Sequence, residues 1–191
     1  MALKAIYYVL FKTSIGHCAV AWSAAGLVAV QLPERNVMAT AARLTNKFPG
    51  AVDLPASEPM PRFVSQAIAG IHQLLEGGRD NLAKVRLDWS AVTPFYGRVY
   101  AAARTIPAGQ TVTYGGLAAQ LGEPGAARAI GQAMARNPFP LVVPCHRVMG
   151  AGGKPGGFSA HGGVHTKFCL LRIEGALTRR PRQLRRPRQL R

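Results

Sequence analysis

Three adjacent side chains in the C-terminal third of the chain could do chemistry. In the segment LVVPCHRVMG, an apolar run and Pro144 precede Cys145, His146 and Arg147. A cysteine in this setting is compatible with core filling, a nucleophile, a metal ligand or a redox centre. A nucleophilic thiol must lose its proton, and an imidazole held by a carboxylate is the usual arrangement that removes it.

The residues around the thiol predict its local structure. The run LVV indicates a short buried strand that stops at Pro144, because proline cannot donate a ladder hydrogen bond. We therefore expect the thiol at a strand end. Neighbouring side chains of a strand point to opposite faces, so Cys145 and His146 cooperate only if the chain turns between them or a water joins them. A buried cysteine beside a surface histidine is the competing interpretation.

The three cysteines, Cys18, Cys145 and Cys169, are far apart and form neither a CxxC pair nor a Cys/His pattern of metal-ligand spacing. This usage favours free thiols in a reducing compartment and argues against structural zinc. We predict neither a metal nor a cofactor. Cys169, set among apolar residues, is predicted to fill the core.

The formal charge of +16 suggests a polyanionic partner, but part of it is concentrated at one end. The last thirteen residues, RRPRQLRRPRQLR, hold seven of the 24 basic residues and no acidic one, so the remainder carries 17 basic against 8 acidic residues. A basic body fits nucleic acid, since neutralised phosphates release counterions. A charged surface that only confers solubility explains the excess equally well. We predict that the tail is disordered.

The chain is predicted to be soluble and cytoplasmic, or nuclear in a eukaryote. Lys12 and His17 interrupt the N-terminal apolar run AIYYVLF before a signal-peptide core develops. No stretch reaches the roughly twenty apolar residues that cross a bilayer.

Residues 1–91 are predicted to form an α/β domain. Segments rich in β-branched, aromatic and small apolar residues predict a small antiparallel sheet, and apolar periodicity predicts two helices. The predicted strands are 5–11, 17–22 and 26–32, the helices are 36–48 and 62–76, and a further strand is 84–89.

Residues 92–176 are predicted to form a second, mainly α-helical domain, with 177–191 as the tail. Thr93 and Pro94 suit the start of a helix whose apolar stripe is Phe95, Val99, Ala102 and Ile106. Two short helices then surround the turn GEPG, which favours a helix-turn-helix.

The second of these helices, from about 126 to 136, has small outer residues around one long cation, Arg128. Small residues let a backbone approach a partner closely, and a lone arginine can reach into a groove or a base stack. A tightly packed core helix with an arginine at its rim is the alternative.

The segment after the thiol is a glycine-rich loop followed by a helix. GAGGKPGGFSAHGG predicts a flexible loop, and GVHTKFCLLRIEG predicts a helix with Val164, Phe168 and Leu171 inward. Glu174, at the end of this helix, is the best carboxylate available to orient His146. An ordinary surface acid is the alternative.

Taken together, the motifs PFYGRVY, TVTYGGLA, GEPGAARAIGQAMARNP, PCHRV, GGFSAHGG and KFCLLRIEG resemble those of the O6-alkylguanine-DNA alkyltransferases, in family order over about eighty residues. The resemblance implies a ribonuclease H-like N-terminal domain and a winged-helix-like C-terminal domain. It also implies transfer of an alkyl group from O6-alkylguanine in double-stranded DNA to a cysteine, after the nucleotide is flipped through the minor groove. It further implies a monomer without cofactor, and leaves cooperative binding and action on O4-alkylthymine open.

The resemblance assigns roles to individual residues. Cys145 matches the acceptor thiolate, His146 its base, Glu174 the group that orients His146, and Asn137 the link between recognition helix and cysteine loop. The DNA-binding positions are Tyr114, Ala126, Ala127, Arg128, Gly131 and Arg136. The base pocket is implied to comprise Phe95, Pro140, Val148, Phe158 and Ser159.

This chain departs from the family at several positions. Phe158 stands where a tyrosine is common, so a phenolic donor to the leaving oxygen is missing. Tyr96 and Tyr100 replace the more usual glutamine and tryptophan, and the arginine repeat has no counterpart.

Three other functions compete with alkyl transfer. A damage sensor without chemistry would lack the cysteine of PCHR. A transcription factor needs polar major-groove readers, which AARAIGQAMA hardly offers beyond Arg128 and Gln132. A cysteine hydrolase needs an oxyanion hole, for which no motif is found.

Overall fold

A mixed four-stranded sheet forms the centre of the N-terminal half. The computed structural model describes residues 5–80 and 82–176. The strands of this sheet, in the order β3-β2-β1-β4, are β1 (Tyr7–Thr13), β2 (Gly16–Ser23), β3 (Gly26–Gln31) and β4 (Val52–Asp53). The predicted antiparallel pairing of β1, β2 and β3 is confirmed. The prediction of a purely antiparallel sheet is wrong, because the two-residue strand β4 pairs parallel to β1.

Both faces of β2 are covered, so its sequence reads as a continuous apolar run. Cys18, Val20 and Trp22 lie in the larger apolar cluster, which includes helix α2 (Arg62–Leu75). The alternate residues of β2 pack in a smaller cluster with Leu44 of helix α1 (Val37–Lys47). The predicted helices 36–48 and 62–76 are therefore confirmed to within one residue at each end.

The predicted strand 84–89 is wrong. Only Leu87 forms a β-bridge, to Leu27, with flanking backbone bonds from Leu27 to Arg86 and from Asp88 to Leu27. The extended segment ends there because the Asp88 carboxylate accepts a hydrogen bond from the backbone N–H of Ser90, 3.0 Å away, which turns the chain.

The C-terminal half is mainly helical and contains one small parallel sheet. Its elements are α3 (Pro94–Arg104), β5 (Val112–Thr113), α4 (Tyr114–Gln120), α5 (Ala127–Ala135), β6 (Val148–Met149) and α6 (Val164–Ile173). The Thr93 side chain caps α3 as predicted. Of the predicted stripe, Val99 and Ile106 are buried, whereas Phe95 and Ala102 are only half-buried. Tyr100 and Ala103 complete the buried face of α3, and the Tyr100 hydroxyl donates to the Ala133 carbonyl.

The expected strand at 141–143 is absent, and the thiol does not lie at a strand end. Residues 139–143 form turns, and Cys145–Arg147 form a single 3-10 turn that leads into β6. The sequence NPFPLVVPCHR holds three prolines, which remove three ladder donors, and Leu141 has a φ of 73°. The chain therefore does turn between Cys145 and His146, one of the two conditions for their cooperation.

The inward face of α6 agrees with expectation at Leu171 and differs at the other two predicted positions. Lys167, Leu170 and Leu171 are buried, whereas Val164 and Phe168 are only half-buried. Cys169, predicted to fill the core, is half-buried as well.

One apolar cluster joins the two halves of the chain. It includes Val20, Leu27 and Ile71 from the first half and Phe139 and Val142 from the second. The division at residue 91/92 stays a prediction. Within residues 5–80 and 82–176, no helix is both long and apolar enough to span a membrane. The predicted disordered tail, 177–191, lies outside the described residues.

Candidate active site

Helices α4 and α5 form the predicted helix-turn-helix. Tyr114 begins α4, and the Thr113 hydroxyl caps that helix by accepting from the Gly116 N–H at 2.9 Å. In α5, Ile130, Ala133 and Met134 face the core. A Cβ atom added to Gly131 would meet nothing within 4 Å, so the glycine is not demanded by packing within the protein. This face of α5 is free for a partner to approach.

Beside that face lies a cavity of about 530 Å³ that reaches the thiol. Its lining joins the helix-turn-helix to the glycine-rich loop and consists of Tyr114, Ala127, Arg128, Gly131, Met134, Ala135, Cys145, Gly157, Phe158 and Ser159. Cys145 is 7% exposed. The loop comes close to Tyr114 at Gly156, where a Cβ would lie 3.0 Å from the phenolic oxygen and φ is 65°. We call this space the helix-side cavity.

A second cavity, of about 410 Å³, reaches the thiol from the other half of the protein. We call it the sheet-side cavity, because it is lined by β3 and α1 as well as by the cysteine loop. Ala135, Cys145, Phe158 and Ser159 line both cavities. The thiol and the loop residues Phe158 and Ser159 therefore border both cavities.

The two residues that follow the thiol in the chain belong to a buried network. Nε2 of His146 is 2.8 Å from Oε1 of Glu174, and Arg147 holds both carboxylate oxygens, with Nε 2.9 Å from Oε2 and Nη2 2.8 Å from Oε1. Arg147 also donates to the Ile106 carbonyl. All three side chains are buried, so the alternative of Glu174 as a surface acid is excluded.

The network fixes which nitrogen of His146 can accept a proton. Burial works against the charge of Glu174, but hydrogen bonds from His146 and Arg147 outweigh it and lower the Glu174 pKa to about 2. An ionised carboxylate only accepts, so Nε2 of His146 carries the hydrogen. Nδ1 is then a bare lone pair, and it is buried with no hydrogen-bond partner among the described residues. Burial lowers the pKa of His146, which keeps the ring neutral.

Two opposite effects act on the pKa of the buried Cys145 thiol. Burial raises its pKa, while Asn137 and Lys167 act to lower it. Asn137 is anchored by two bonds, from its Nδ2 to the Val143 carbonyl at 2.8 Å and from the Phe139 N–H to its Oδ1 at 2.9 Å. These bonds join the residue that follows α5 to the segment before the thiol.

Lys167 is a site residue that the sequence analysis missed. Its side chain is fully buried, and Nζ donates to the carbonyls of Val148 and Pro155 at 2.6 and 2.5 Å. The ammonium group lies 6.0 Å from the centroid of the Tyr114 ring. Burial lowers its pKa to about 8, against the opposing effect of Cys145. The signal was available, because Lys167 lies seven residues, two helical turns, before Glu174 on one face of α6.

A second missed contact ties the glycine-rich loop to the N-terminal half. Arg43 of α1 donates to the Ser159 carbonyl at 3.0 Å and pairs with Glu34 at 3.1 Å. Glu34 also lies 3.6 Å from Nδ1 of His161. Arg43 thus contacts the residue before Ala160, and Glu34 contacts the residue after it. Both partners lie more than a hundred residues before the loop in the sequence.

Most of the residues implied by the resemblance lie around the two cavities. Tyr114, Ala127, Arg128 and Gly131 line the helix-side cavity, and Arg136, Asn137 and Pro140 line the sheet-side cavity. Phe95, Ala126 and Val148 line neither. Phe95 instead packs against Tyr96 and Arg98, and the Val148 carbonyl receives Lys167. In the part of the chain that the structure describes, no group of three or more His, Cys, Asp or Glu residues could hold a metal ion.

The sequence comparisons match this chain to proteins named as DNA methyltransferases or DNA repair enzymes. A family model described as the DNA-binding domain of 6-O-methylguanine DNA methyltransferase matches residues 94–176. The chain is 56% identical over 85 residues to a methylated-DNA–protein-cysteine methyltransferase of Salmonella typhimurium, which is 44% of this chain and 48% of that protein. It is 36% identical over 170 residues to the bifunctional transcriptional activator/DNA repair enzyme Ada of Escherichia coli, 89% of this chain and 46% of that protein. The chain spans about half the length of the curated relatives that it matches.

Solved structures extend the similarity to both halves of the fold. Mycobacterium tuberculosis OGT in complex with DNA is 32% identical with a TM-score of 0.71, over 89% of this chain and 93% of that one. The O6-methylguanine-DNA methyltransferase of Pyrococcus kodakaraensis is 27% identical with a TM-score of 0.64, over 89% and 99% of the two chains.

Proposed function

The chain belongs to the O6-methylguanine-DNA methyltransferase family, and we propose that it repairs DNA by moving the alkyl group from O6 of a damaged guanine to Sγ of Cys145. The observation that carries this proposal is the position of Cys145. It lines a cavity that opens beside the exposed face of α5, with the His146–Glu174–Arg147 network behind it.

In the recognition step, α5 approaches the minor groove of double-stranded DNA. The small residues Ala126, Ala127 and Gly131 let the helix backbone come close, and the open space above Gly131 supports this. Arg128, which is exposed at the mouth of the helix-side cavity, enters the stack in place of the extruded nucleotide. Tyr114 turns the neighbouring phosphate, and Arg136 adds a further cation for DNA.

The flipped base occupies the helix-side cavity beneath the glycine-rich loop. Phe158 and Ser159 line this space and border the thiol, which supports their role in holding the base. Pro140 lines the sheet-side cavity together with Cys145. Phe95 and Val148 are kept as base-pocket residues on the resemblance alone, since they line neither cavity. The link from Arg43 to the Ser159 carbonyl supports a fixed position for the loop.

The chemistry needs a thiolate, although burial keeps the Cys145 pKa raised. Nδ1 of His146, the nitrogen with the free lone pair, takes the thiol proton through a bridging water, and the ionised Glu174 stabilises the imidazolium. The ammonium group of Lys167 stabilises the thiolate. The S–C bond then forms as the C–O6 bond breaks in line, its electron pair stays on the guanine, and the base takes up one proton.

The product predicts a protein that acts once. An alkyl thioether has no good leaving group at neutral pH, in contrast to the thioester of a cysteine hydrolase. The alkyl group therefore stays on Cys145, and the protein is a stoichiometric acceptor.

The proposal is tested by mixing the protein with duplex DNA that contains one O6-methylguanine and analysing the cysteine peptides by mass spectrometry. We expect one added methyl per molecule on Cys145 and no turnover. Cys145→Ala should keep salt-sensitive DNA binding and lose transfer, whereas the matched variant Cys169→Ala should transfer normally. Repeated turnover, or a methyl group on another residue, contradicts the proposal. DNA binding without any adduct would indicate the damage sensor instead.

Finer features of the fold and setting belong to the same proposal. We take the N-terminal half as ribonuclease H-like and the C-terminal half as winged-helix-like, with the β5–β6 pair beside the helix-turn-helix in support. The protein acts as a monomer on DNA, in the cytoplasm or in a nucleus.

A further inference from the structure

We infer that Glu34 and Arg43, in the N-terminal half of the chain, are positioning residues that hold the glycine-rich loop closed over the Cys145 thiol. The inference rests on the proposed function, and it assigns part of the control over the transfer rate to residues outside the C-terminal half. The observation behind it is the set of contacts that Arg43 and Glu34 make with Ser159 and His161. We call these four residues the loop clamp.

The glycine-rich loop depends on contacts from elsewhere in the protein to keep one conformation. Seven of the fourteen residues from 150 to 163 are glycine, the residue that loses the most conformational freedom on folding. Residues 154–159 form neither helix nor strand, so no backbone ladder orders them.

Helix α6 supplies one contact on each side of the loop tip, residues 158–160. Nζ of Lys167 donates to the Pro155 carbonyl at 2.5 Å, before the tip. The Thr166 hydroxyl donates to the His161 carbonyl at 2.5 Å, after the tip. The loop tip, which includes two residues that border the thiol, lies between these two points.

Arg43 reaches the loop tip from helix α1. Its Nη2 donates to the Ser159 carbonyl at 3.0 Å, while its Nη1 lies 3.1 Å from Oε1 of Glu34. The two contacts use different nitrogens of one planar guanidinium, so they form at the same time and each orients the group for the other. The side chain of Arg43 is half-exposed, whereas that of Glu34 is only 13% exposed. The ion pair is thus anchored at its acidic end.

Glu34 is fixed by the connection between β3 and α1. Its backbone N–H donates to the Thr40 hydroxyl at 3.0 Å, and Thr40 is fully buried. The Asn36 side chain caps α1 by accepting from the Ala39 N–H at 2.8 Å. The second carboxylate oxygen of Glu34, Oε2, lies 3.6 Å from Nδ1 of His161. A hydrogen-bonded part of the N-terminal half therefore contacts the loop at two points.

Release of the loop clamp should change two measurable quantities in opposite directions. Phe158 and Ser159 border both cavities together with Cys145, which is 7% exposed. If the loop tip moves outward, the flipped base loses contacts on one side, so transfer becomes slower. The same movement uncovers the thiol, so a small reagent that needs no base pocket reacts faster. A contact of Arg43 with DNA phosphate would not give this pair of effects.

The test measures both quantities for Arg43→Ala and Glu34→Ala. Single-turnover transfer is followed over a range of concentrations of duplex DNA with one O6-methylguanine, which separates the maximum rate from the half-saturating DNA concentration. Arg43→Ala should lower the maximum rate roughly three- to tenfold, as expected for loss of one charge-assisted hydrogen bond at a half-exposed position. The half-saturating concentration should hardly change, because phosphate contacts dominate DNA affinity. Glu34→Ala should also lower the maximum rate, although removal of an acid by itself favours binding to DNA.

Iodoacetamide alkylation of Cys145, followed by mass spectrometry of the cysteine peptides, reports opening of the loop without DNA. We expect its rate to rise roughly three- to tenfold in both variants. Cys18 is an internal control, because it is fully buried in β2 and should be alkylated only when the core opens. The matched variant is Arg35→Ala, which removes an exposed arginine next to Glu34 and should leave both rates unchanged.

Other results would overturn the inference. Faster transfer in Glu34→Ala, or a change in Arg43→Ala confined to the half-saturating DNA concentration, would show that these residues act only through their charge on DNA. An unchanged iodoacetamide rate at Cys145 would show that the loop stays closed without the clamp. Alkylation of Cys18 in step with Cys145 would show a general loss of packing. Failure of the proposed function looks different, because then the wild type also transfers no methyl group, while the iodoacetamide rates still report on the clamp.

Discussion

His146 and Glu174 are joined by a buried 2.8 Å contact between Nε2 and Oε1, although 28 residues separate them in the chain. Because Arg147 holds the same carboxylate, Glu174 is ionised and the imidazole is fixed in one tautomer. The nitrogen that remains free, Nδ1, is the one available to the thiol proton.

Glu174→Gln should slow transfer from O6-methylguanine by about a hundredfold. An amide can donate to Nε2, which moves the ring hydrogen to Nδ1 and removes the base, whose usual contribution is about 10²- to 10⁴-fold. Single-turnover quenched-flow measurements give the rate. Glu123→Gln, which removes an acid from an exposed pair with Arg98, is the control and should transfer normally. A Glu174→Gln protein with full activity would remove His146 from the mechanism.

The same carboxylate should make stability depend on pH in the acid range. The Glu174 pKa is lowered in the folded protein from 4.5 to about 2, so its contribution to stability is complete above about pH 4.5 and is lost as the pH falls toward 2. The destabilisation caused by Glu174→Gln, roughly 3–5 kcal/mol for a broken buried pair, should therefore shrink over that window. Urea unfolding at a series of pH values measures it. A difference that is constant with pH would contradict the lowered pKa.

Lys167→Met should make the Cys145 thiol less reactive. The Lys167 ammonium group lowers the pKa of Cys145, whereas burial raises it, so removal of the cation should raise the thiol pKa. The pH profile of Cys145 alkylation by iodoacetamide should shift to higher pH, a readout that a purely structural role would not move. Lys154→Met, at an exposed position in the same loop region, should leave the profile in place. Melting curves show whether each variant is folded, and an unshifted profile in folded Lys167→Met would count against the assigned role.

Arg128→Ala should slow repair of duplex DNA while leaving the thiol intact. The side chain is exposed on α5 and takes no part in the hydrogen bonds of the buried network, so its loss should affect extrusion of the base rather than the chemistry. We expect the repair rate to fall at least tenfold on duplex DNA and iodoacetamide reactivity to stay the same. Arg172→Ala, an exposed arginine on α6, is the charge-matched control. Equal repair rates for Arg128→Ala and Arg172→Ala would refute the role of Arg128.

The sequence by itself determined many of the local elements and the family resemblance on which the proposed chemistry rests. The β-branched, aromatic and small apolar composition of β1 to β3, the apolar periodicity of α1 and α2 and the cap at Thr93 each depend on neighbours in the chain, and each predicted its element correctly. The order of motifs around PCHRV likewise pointed to Cys145, His146 and Glu174 before any distance was known.

Only the tertiary structure decided how these groups meet. The stretch LVV has strand-like composition, but the three prolines around it leave no ladder to join, so the thiol lies in a 3-10 turn. Lys167 looks like an ordinary solvated lysine until Val148 and Pro155 close over it. The contact of Arg43 with Ser159 and the sheet-side cavity beside Cys145 likewise join residues more than a hundred positions apart. Periodicity and capping report what a residue's chain neighbours allow, whereas burial and charge at a site depend on which distant segments fold against it.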